Sequence, residues 1–354
     1  MASERILVTG ATGFLGSHVV IKALENGYAV RGTVRSPSQA KEVRTFWTSY
    51  GDRFDSVVVP DLVEGDYTEA LKGALHFQLG TLTAILLHLG ISAVIHVASP
   101  FFRSVNDPRK DLLDPARQGT VKVLEACLKH GVQRVVVTGS IAAVIDSAKG
   151  GKLPIMPPSI CCDLIIQISG VTIPIPAEDW NSLTYEQAVS GALPGIGVYA
   201  VSKKIAEMAA FEFAREHPAM HVTVMSPTMI FGPLVLPADL SALNTSSQDI
   251  YNLISGKLED TALPACTDSL GRGFLFNGAM FTFYEAVNIL SKQRPNLIPR
   301  LPSLDGAELK VTSKKAKIDV SIAETELGIK WTSFEQCLLD TVDEFIRIEA
   351  AAKL

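Results

Sequence analysis

A phenol, an ammonium group and a hydroxyl are spaced so that they could act together on one substrate atom. Tyr199 and Lys203 are four residues apart, so their side chains share one face of a helix. Ser140 follows the apolar run 134–138, and functional groups of α/β proteins gather at the carboxyl ends of strands. Because the chain has 7 tyrosines, the spacing alone says little, and the positions in the fold carry the interpretation.

These three side chains suit hydride transfer to a carbonyl group coupled to proton transfer. Ser140 would donate a hydrogen bond that polarises the carbonyl oxygen, and Tyr199 would protonate the developing alkoxide as a general acid. A free phenol has a pKa of about 10. Lys203, together with an oxidised nicotinamide, would stabilise the phenolate and lower that pKa, and its ammonium group could also hold the nicotinamide ribose.

The N-terminal loop is suited to a dinucleotide. The first apolar run, 5–9, is followed by Gly10, Gly13 and Gly16 and then by a helical pattern. The first glycine permits a tight turn, the second lets backbone N–H groups approach a pyrophosphate, and the third allows close packing of helix and strand. No Gly-Lys-Ser/Thr ends the loop, so γ-phosphate chemistry is not implied. The predicted cofactor contacts in this loop are Gly10, Thr12, Gly13, Phe14, Leu15 and Gly16.

The end of the second strand indicates NADPH rather than NADH. NAD enzymes usually carry an acidic residue there that bonds the ribose 2′-hydroxyl, whereas this chain has Arg35, with Lys41 six residues further on. A guanidinium group binds a 2′-phosphate through charge-assisted, bidentate hydrogen bonds. The alternative is that Arg35 is only a solvated surface charge.

The order of elements predicts an α/β fold, a doubly wound parallel sheet with a smaller, mainly C-terminal part that binds the substrate. Short apolar runs alternate with helical patterns, which is typical of βαβ units. Helices are predicted over 119–130, 198–217 and 333–352, the last one amphipathic. Strands are predicted over 5–9, 29–34, 56–60, 93–97, 134–138 and 221–226.

Composition excludes several classes of protein. Hydrophobic residues make up 47% and charged residues 19% of the chain, which excludes a disordered protein. The net charge is −5 and Lys and Arg do not cluster, so nucleic acid is not an expected partner. Five cysteines without a Cys-x-x-Cys pair argue against disulfides and against a metal site, and favour a reducing, cytoplasmic location.

Two segments are candidates for a signal peptide and for a membrane span, and we expect neither to be one. The N-terminus lacks the long apolar core of a signal peptide. The stretch between Lys72 and Arg103 carries no formal charge but contains histidines, glycines and a proline. Its end is better explained as a buried parallel strand than as a membrane span.

Together these motifs resemble the extended short-chain dehydrogenase/reductases, in particular the dihydroflavonol-reductase-like branch with its fungal methylglyoxal reductases and ketoreductases. The resemblance implies a Rossmann fold and NADPH as the cofactor. It is carried by 10–16, 33–35, 61–62, 96–101, 106–108, 114–115, 119–120, 138–143, 178–180, 199–203, 226–233 and the segment from 319 onward.

The resemblance also implies further contacts and a domain plan. Asp61 and Leu62 would lie near the adenine, and Val97, Ala98 and Ser99 near the ribose. Pro227, Thr228, Met229 and Ile230 would touch the nicotinamide amide, and Ser246 is a further cofactor contact. The NADP-binding domain would span 1–232 and the substrate-binding part mainly 233–318, while 319–354 would pack on the body. A monomer and a homodimer both remain open.

Three apolar segments depart from the family pattern. Segments 74–90 and 153–175 look inserted, and 273–284 carries no charge where relatives have a charged strand. We hypothesise that the two insertions, and by extension the third segment, reflect unspliced or misread coding sequence. Alternatively, they are real loops that reshape the mouth of the pocket. The intact mass of the natural protein, compared with 38.1 kDa for this sequence, decides between the two.

The expected activity is the NADPH-dependent reduction of an aldehyde or ketone, a small-molecule carbonyl substrate, to an alcohol. One alternative keeps the fold but acts on a nucleotide sugar as an epimerase or dehydratase that recycles its bound cofactor. Another is a dinucleotide-sensing protein without catalysis, against which Ser140, Tyr199 and Lys203 argue. Nothing in residues 233–300 names the substrate.

Overall fold

The computed structural model describes most of the chain. Segment 153–175 lies outside the described residues, as does 74–90 apart from Gly90, and only parts of 273–284 are included. The described residues are 4–73, 90–100, 105–144, 180–237, 240, 243–256, 273–274, 280–304, 328 and 330–352.

Six parallel strands form the central sheet, in the order β3-β2-β1-β4-β5-β6. The strands are β1 Arg5–Thr9, β2 Ala29–Val34, β3 Phe54–Val58, β4 Ile91–His96, β5 Arg134–Thr138 and β6 His221–Met225. The order reverses between β1 and β4, and in such sheets ligands bind outside the carboxyl ends of the strands at this switch point. The predicted doubly wound parallel sheet is confirmed. Strands β3 and β4 begin two residues earlier than the sequence pattern indicated.

Helices connect the strands and continue beyond them. They are α1 Phe14–Glu25, α2 Pro37–Phe46, α3 Thr68–Leu71, α4 Asp114–Lys129, α5 Tyr185–Val189, α6 Gly195–Glu216, α7 Thr245–Ile254, α8 Phe283–Gln293 and α9 Phe334–Ala351. Short 3₁₀ turns cover Thr48–Arg53, Ile141–Ala143 and Pro295–Arg300, and a π-helical turn, Arg109–Leu113, leads into α4. Among the described helices, none has both the length and the apolar character that a membrane crossing requires.

Helix α4 begins five residues before its predicted start at Gly119. Pro115 stands in its first turn, where proline is tolerated because the first N–H groups of a helix have no acceptor inside it. Gly119 is an interior residue because Leu62 packs against it, and a Cβ there would lie 2.4 Å from the Leu62 Cγ. A packing requirement thus explains a glycine that the sequence pattern assigned to the helix start.

The chain divides into two compact units. The first comprises Met1–Ile145 and Cys162–Ser226 and contains the whole six-stranded sheet, and the second comprises Asp146–Cys161 and Pro227–Leu354. In the second unit, helices α7, α8 and α9 share an apolar core. Leu338, Val342 and Phe345 of α9 are buried in it, as the predicted amphipathic pattern requires.

The uncharged segment 273–284 contributes to this second core. Gly273–Phe274 and Met280–Phe281 pair as a short antiparallel ribbon. The ring of Phe281 stacks on that of Phe334, with centroids 4.2 Å apart, and Phe283 is buried as well. The end of this segment therefore serves a packing role in the fold.

One threonine joins the carboxyl ends of β1 and β4 at the switch point. The Thr9 Oγ1, fully buried, accepts the N–H groups of Val97 and Ala98, each at 3.1 Å. Because both lone pairs are then used, its O–H donates to His96 Nδ1, 2.8 Å away. Burial, aided by the charge of Lys203, lowers the pKa of His96 to about 3, so His96 is neutral with its proton on Nε2.

We expect Thr9→Val to destabilise the protein while conserving its shape. Valine has no hydroxyl, so the buried Nδ1 of His96 and the half-buried N–H groups of Val97 and Ala98 lose their partner. A buried group left unsatisfied costs about 1–3 kcal/mol, and a group that water can reach costs less. The free energy of unfolding from urea titration should fall by about 2–5 kcal/mol. Thr9→Ser keeps the hydroxyl and should lose only ~1 kcal/mol for the missing methyl group. Equal losses in the two variants would contradict this assignment.

Candidate active site

The glycine loop has the geometry that a pyrophosphate requires. Gly10 has a φ of 68°, which side-chain-bearing residues rarely adopt. A Cβ on Gly16 would lie 2.0 Å from the carbonyl oxygen of Gly10. Gly13 is the N-cap of α1, so no side chain caps the helix there. The first N–H groups of α1 have no acceptor inside the helix and can bind an anion, so the loop fits a dinucleotide phosphate.

The two basic residues predicted to bind the 2′-phosphate of the cofactor follow β2 and are exposed. Arg35 directly follows β2, and its backbone N–H donates to Gln39 Oε1 at 2.9 Å. Lys41 lies on α2, and both side chains are exposed. Next to them, Arg44 is held by hydrogen bonds to Ser56. Arg35 and Lys41 are therefore available to a solvent-borne anion.

Asp61 and Leu62 form the turn that follows β3. The Asp61 Oδ1 accepts the N–H groups of Val63 and Glu64, both at 2.8 Å. These two hydrogen bonds lower the pKa of Asp61, and the bond from Glu64 has the larger effect. Its carboxylate is thus used to shape the turn, while Leu62 packs against α4. The predicted adenine contact of these two residues stays a prediction.

The segment after β4 meets both the glycine loop and α6. A Cβ on Gly10 would lie 3.1 Å from the Cα of Ala98, so the loop and this segment run close together. The Nζ of Lys203 donates to the Oγ of Ser99 at 2.9 Å. The ammonium of Lys203 is therefore held on the side of the switch point where the ribose contacts were predicted.

Tyr199, Lys203 and Ser140 lie close together in the first unit. Helix α6 carries Tyr199 and Lys203, and Ser140 caps the 3₁₀ turn after β5, its Oγ accepting the N–H of Ala142 at 3.2 Å. The side chain of Ser140 is a neighbour of the Tyr199 phenol and lowers its pKa by hydrogen bonding. The Nζ of Lys203 lies 5.9 Å from the centre of the Tyr199 ring. Ser140 is 9% and Lys203 7% exposed, so this hydroxyl and this ammonium are largely shielded from water.

Burial controls the protonation of this group of side chains. Burial raises the pKa of Tyr199, the hydrogen bond from Ser140 lowers it, and the charge of Glu207 raises it further. The expected lowering of this pKa by Lys203 is not what the protein by itself shows: Lys203 is not among the groups that shift it, and loss of hydration has the largest effect. Burial also lowers the pKa of Lys203 to about 8, and Glu207 acts against that change.

Sequence reasoning missed Glu207, a carboxylate in the centre of this site. It is 4% exposed, and its Oε1 accepts the backbone N–H of Ser140 at 2.8 Å and the Oγ–H of Ser226 at 3.0 Å. Glu207 lies four residues after Lys203, so it continues the stripe of functional side chains along one helix face. An acidic residue at that spacing on an alanine-rich helix was the available signal.

The remaining predicted cofactor residues belong to the second unit. Pro227, Thr228, Met229 and Ile230 form its first residues after β6, and Ser246 lies in the first turn of α7. The Oγ1 of Thr228 is buried and has no hydrogen-bond partner among the residues described. Their predicted contacts with the nicotinamide stay predictions. Within the described part of the chain, His, Cys, Asp and Glu side chains form no group of three that could hold a metal ion.

Comparison with known proteins places the chain. The family model described as "NAD dependent epimerase/dehydratase family" matches residues 6–157. A Schizosaccharomyces pombe protein named as an oxidoreductase is 32% identical over 362 residues, which is 96% of this chain and 96% of its own. The chain belongs to the extended short-chain dehydrogenase/reductase family. The resemblance drawn from the motifs is thus confirmed.

Fungal reductases of this family match over nearly the whole length. The NADPH-dependent methylglyoxal reductase GRE2 of Saccharomyces cerevisiae is 27% identical, over 97% of this chain and 98% of its own. The crystal structure of Gre2 from Candida albicans in complex with NADPH has 26% identity and a TM-score of 0.74, and the match covers 98% of this chain and 99% of that one. The chain is thus similar to the fungal reductases that its motifs suggested.

Ionisation of Glu207 should make the protein less stable as the pH rises. Burial raises the pKa of Glu207 from 4.5 to about 7, so the folded protein holds a proton that the unfolded chain has released. The resulting stabilisation is complete below pH 4.5 and is lost as the pH passes through about 7. Compared with Glu207→Gln, the parent should lose up to about 3 kcal/mol of unfolding free energy between pH 5 and pH 8.

Urea titrations at a series of pH values measure this difference. Glu212→Gln is the matched control, because Glu212 lies on the same helix in an exposed ion pair with Arg215. A parent and a Glu207→Gln variant with parallel pH dependence would contradict the burial of an ionisable proton at this site.

Proposed function

We propose that this member of the extended short-chain dehydrogenase/reductase family is an NADPH-dependent reductase that converts an aldehyde or a ketone to an alcohol. The observation that supports it most is the hydrogen-bonded pair Ser140–Tyr199, with Lys203 one helical turn away. The names of the relatives, which include an NADPH-dependent methylglyoxal reductase, support the same class of reaction.

The cofactor would be held by residues of the first unit. The glycine loop and the N-terminus of α1 would bind the pyrophosphate, and Arg35 with Lys41 would bind the 2′-phosphate that distinguishes NADPH from NADH. Lys203 would hold the ribose next to the nicotinamide. When bound, NADPH supplies the hydride.

Tyr199 would deliver the proton to the substrate oxygen. Its pKa is raised by burial, so the phenol is protonated at neutral pH, which is the state that a general acid needs for reduction. In the free protein Ser140 bonds to the phenol, and a substrate carbonyl oxygen that accepts from both hydroxyls would replace this bond. Ser140 would then polarise the carbonyl group.

Lys203 would stabilise the phenolate once the proton has left. With a pKa of about 8, its amine is charged at neutral pH, and a nearby positive charge favours the ionised phenol. The bond to Ser99 fixes where this charge stands. The effect of Lys203 on the pKa of Tyr199 therefore belongs to the step after proton transfer.

A substrate panel tests the reaction class. Absorbance at the NADPH band is followed with aldehydes, diketones including methylglyoxal, β-keto esters and flavanonols. Continuous oxidation of NADPH with one of these carbonyls is the expected result. A protein that keeps its cofactor bound and converts a nucleotide sugar without net oxidation would instead be an epimerase or dehydratase, and this outcome would overturn the proposal.

Replacing the acid should stop chemistry and leave binding intact. In Tyr199→Phe the ring remains and the proton donor is lost, so kcat should fall by about 10²–10⁴-fold, the usual contribution of a general acid. The dissociation constant of NADPH, from fluorescence titration, should change by less than about threefold. Such a change corresponds to well under about 1.4 kcal/mol of binding free energy. Turnover equal to that of the parent would refute the role of Tyr199.

Removing the guanidinium of Arg35 should change cofactor preference. Arg35→Ala loses a charge-assisted contact with the 2′-phosphate, worth roughly 1.5–3 kcal/mol, so the KM for NADPH should rise by at least about 10-fold. The KM for NADH should hardly change, because NADH has no 2′-phosphate. Arg215→Ala, at an exposed position on α6, is the matched control. An unaltered ratio of the two KM values would contradict the proposed contact.

A further inference from the structure

Glu207 is a buried carboxylate for which the proposed reaction gives no role. Its neighbours on α6, Tyr199 and Lys203, both take part in that reaction. Glu207 has no part in it, yet one of its oxygens, Oε1, accepts two hydrogen bonds. A buried carboxylate is costly unless its charge is paired and hydrogen-bonded. The presence of this carboxylate at the centre of the site calls for a functional explanation.

The two bonds fasten helix α6 to two strand ends. The N–H of Ser140 comes from the segment that follows β5, and the hydroxyl of Ser226 comes from the residue directly after β6. The two strand ends are also linked to each other, because the N–H of Gly139 donates to the carbonyl oxygen of Met225 at 2.8 Å. The carboxylate thus joins three elements at one point.

Gly139 leaves space for the Oε1 atom of Glu207. A Cβ on Gly139 would lie 2.2 Å from Oε1 of Glu207 and 2.5 Å from Oγ of Ser226. No side chain fits at position 139 while Glu207 holds its place. The backbone before Ser140 is therefore shaped around the carboxylate.

Through Ser140 the carboxylate determines the geometry at Tyr199. The backbone N–H of Ser140 is held by Glu207, and the side chain of the same serine bonds to Tyr199. Displacing the backbone of Ser140 would move its Oγ away from the phenol. Misplacement by about 1 Å in such a constellation can cost about 10²-fold in rate.

The charge of Glu207 acts on the same group. Once Glu207 ionises, above about pH 7, its charge favours the ammonium form of Lys203 and the neutral form of Tyr199, the two states that the reduction needs. The strand ends at β5 and β6 present Ser140 and Ser226, which do not titrate. His96, at the end of β4, stays neutral because burial and the charge of Lys203 lower its pKa to about 3.

We propose that Glu207 is a positioning residue of the reductase: its side-chain oxygen joins the backbone of Ser140 to helix α6 and so holds this serine beside Tyr199. This inference rests on the proposed reductase function. It assigns Glu207 no contact with substrate and no transfer of a proton. Its effects on geometry and on charge can be separated by two substitutions.

Glu207→Gln keeps an oxygen that can accept from Ser140 and Ser226 but removes the charge. Its kcat at pH 6.5 should stay within about 10-fold of the parent, since the geometry is preserved. The alkaline limb of its kcat–pH profile should shift to lower pH by about one unit, because Lys203 and Tyr199 both lose their protons more easily without the neighbouring negative charge.

Glu207→Ala removes both the charge and the hydrogen-bond acceptor. Its kcat should fall by about 100-fold, as expected for a misplaced catalytic group, and glutamine should restore most of that loss. Fluorescence titration with NADPH at pH 6.5 should give a dissociation constant within about threefold of the parent in both variants, which verifies a folded cofactor site. Glu212→Gln, at the exposed ion pair on the same helix, should leave kcat and the alkaline limb unchanged.

Two results would overturn the role of Glu207 in an active parent enzyme. One is a Glu207→Ala variant with the kcat and the pH profile of the parent. The other is equal loss of kcat in the glutamine and alanine variants with an unmoved alkaline limb, which would mean that Glu207 only packs. If the parent itself oxidises no NADPH with any carbonyl of the panel, the proposed function fails first and the role of Glu207 in it fails with it.

Discussion

Two buried ionisable side chains one helical turn apart, Lys203 and Glu207, set the electrostatics of the candidate site. Lys203 and Glu207 each lose hydration on folding, and the loss moves the pKa of each toward neutrality, that of Lys203 down and that of Glu207 up. Neither charge would be tolerated alone at such depth. Each is compensated by the other and by hydrogen bonds, to Ser99 for the lysine and to Ser140 and Ser226 for the glutamate. Glu207 holds the backbone of Ser140, and Tyr199 lies one helical turn before Lys203.

The sheet supplies the fixed points for this arrangement. Parallel strands place their carboxyl ends along one edge, and the strand order of this sheet opens a crevice between β1 and β4. There the hydroxyl of Thr9 is saturated by two backbone N–H groups and by His96. Further along the same edge, Glu207 plays the corresponding part for β5 and β6. Polar side chains that bond groups at the ends of neighbouring strands thus tie this edge together, next to the glycine loop and helix α6.

Much of this architecture is predictable from local patterns. The glycine spacing after β1, the apolar runs of β2 and β5 and the Tyr–Lys spacing on α6 each depend on a few adjacent residues. Helix α4 began earlier than predicted, and its Gly119 proved to be an interior residue that makes room for Leu62, a contact that depends on packing and not on local sequence. Glu207 was missed for a related reason: its partners, Ser140 and Ser226, lie 67 and 19 residues away in the chain. The protonation of Tyr199 was also beyond local reasoning, because its pKa is raised mainly by burial of the phenol, which is set by the whole fold.

The close approach between Glu207 and Gly139 has an evolutionary consequence. Because the carboxylate occupies the volume that a side chain at 139 would need, neither position can change freely while the other is kept. A descendant that exchanged the acid for a small residue would open a pocket beside the strand end, and alanine at 139 could fill it once the Ser226 hydroxyl had also turned away. The two positions should therefore co-vary among homologues, although they are far apart in sequence and only one of them carries a functional group.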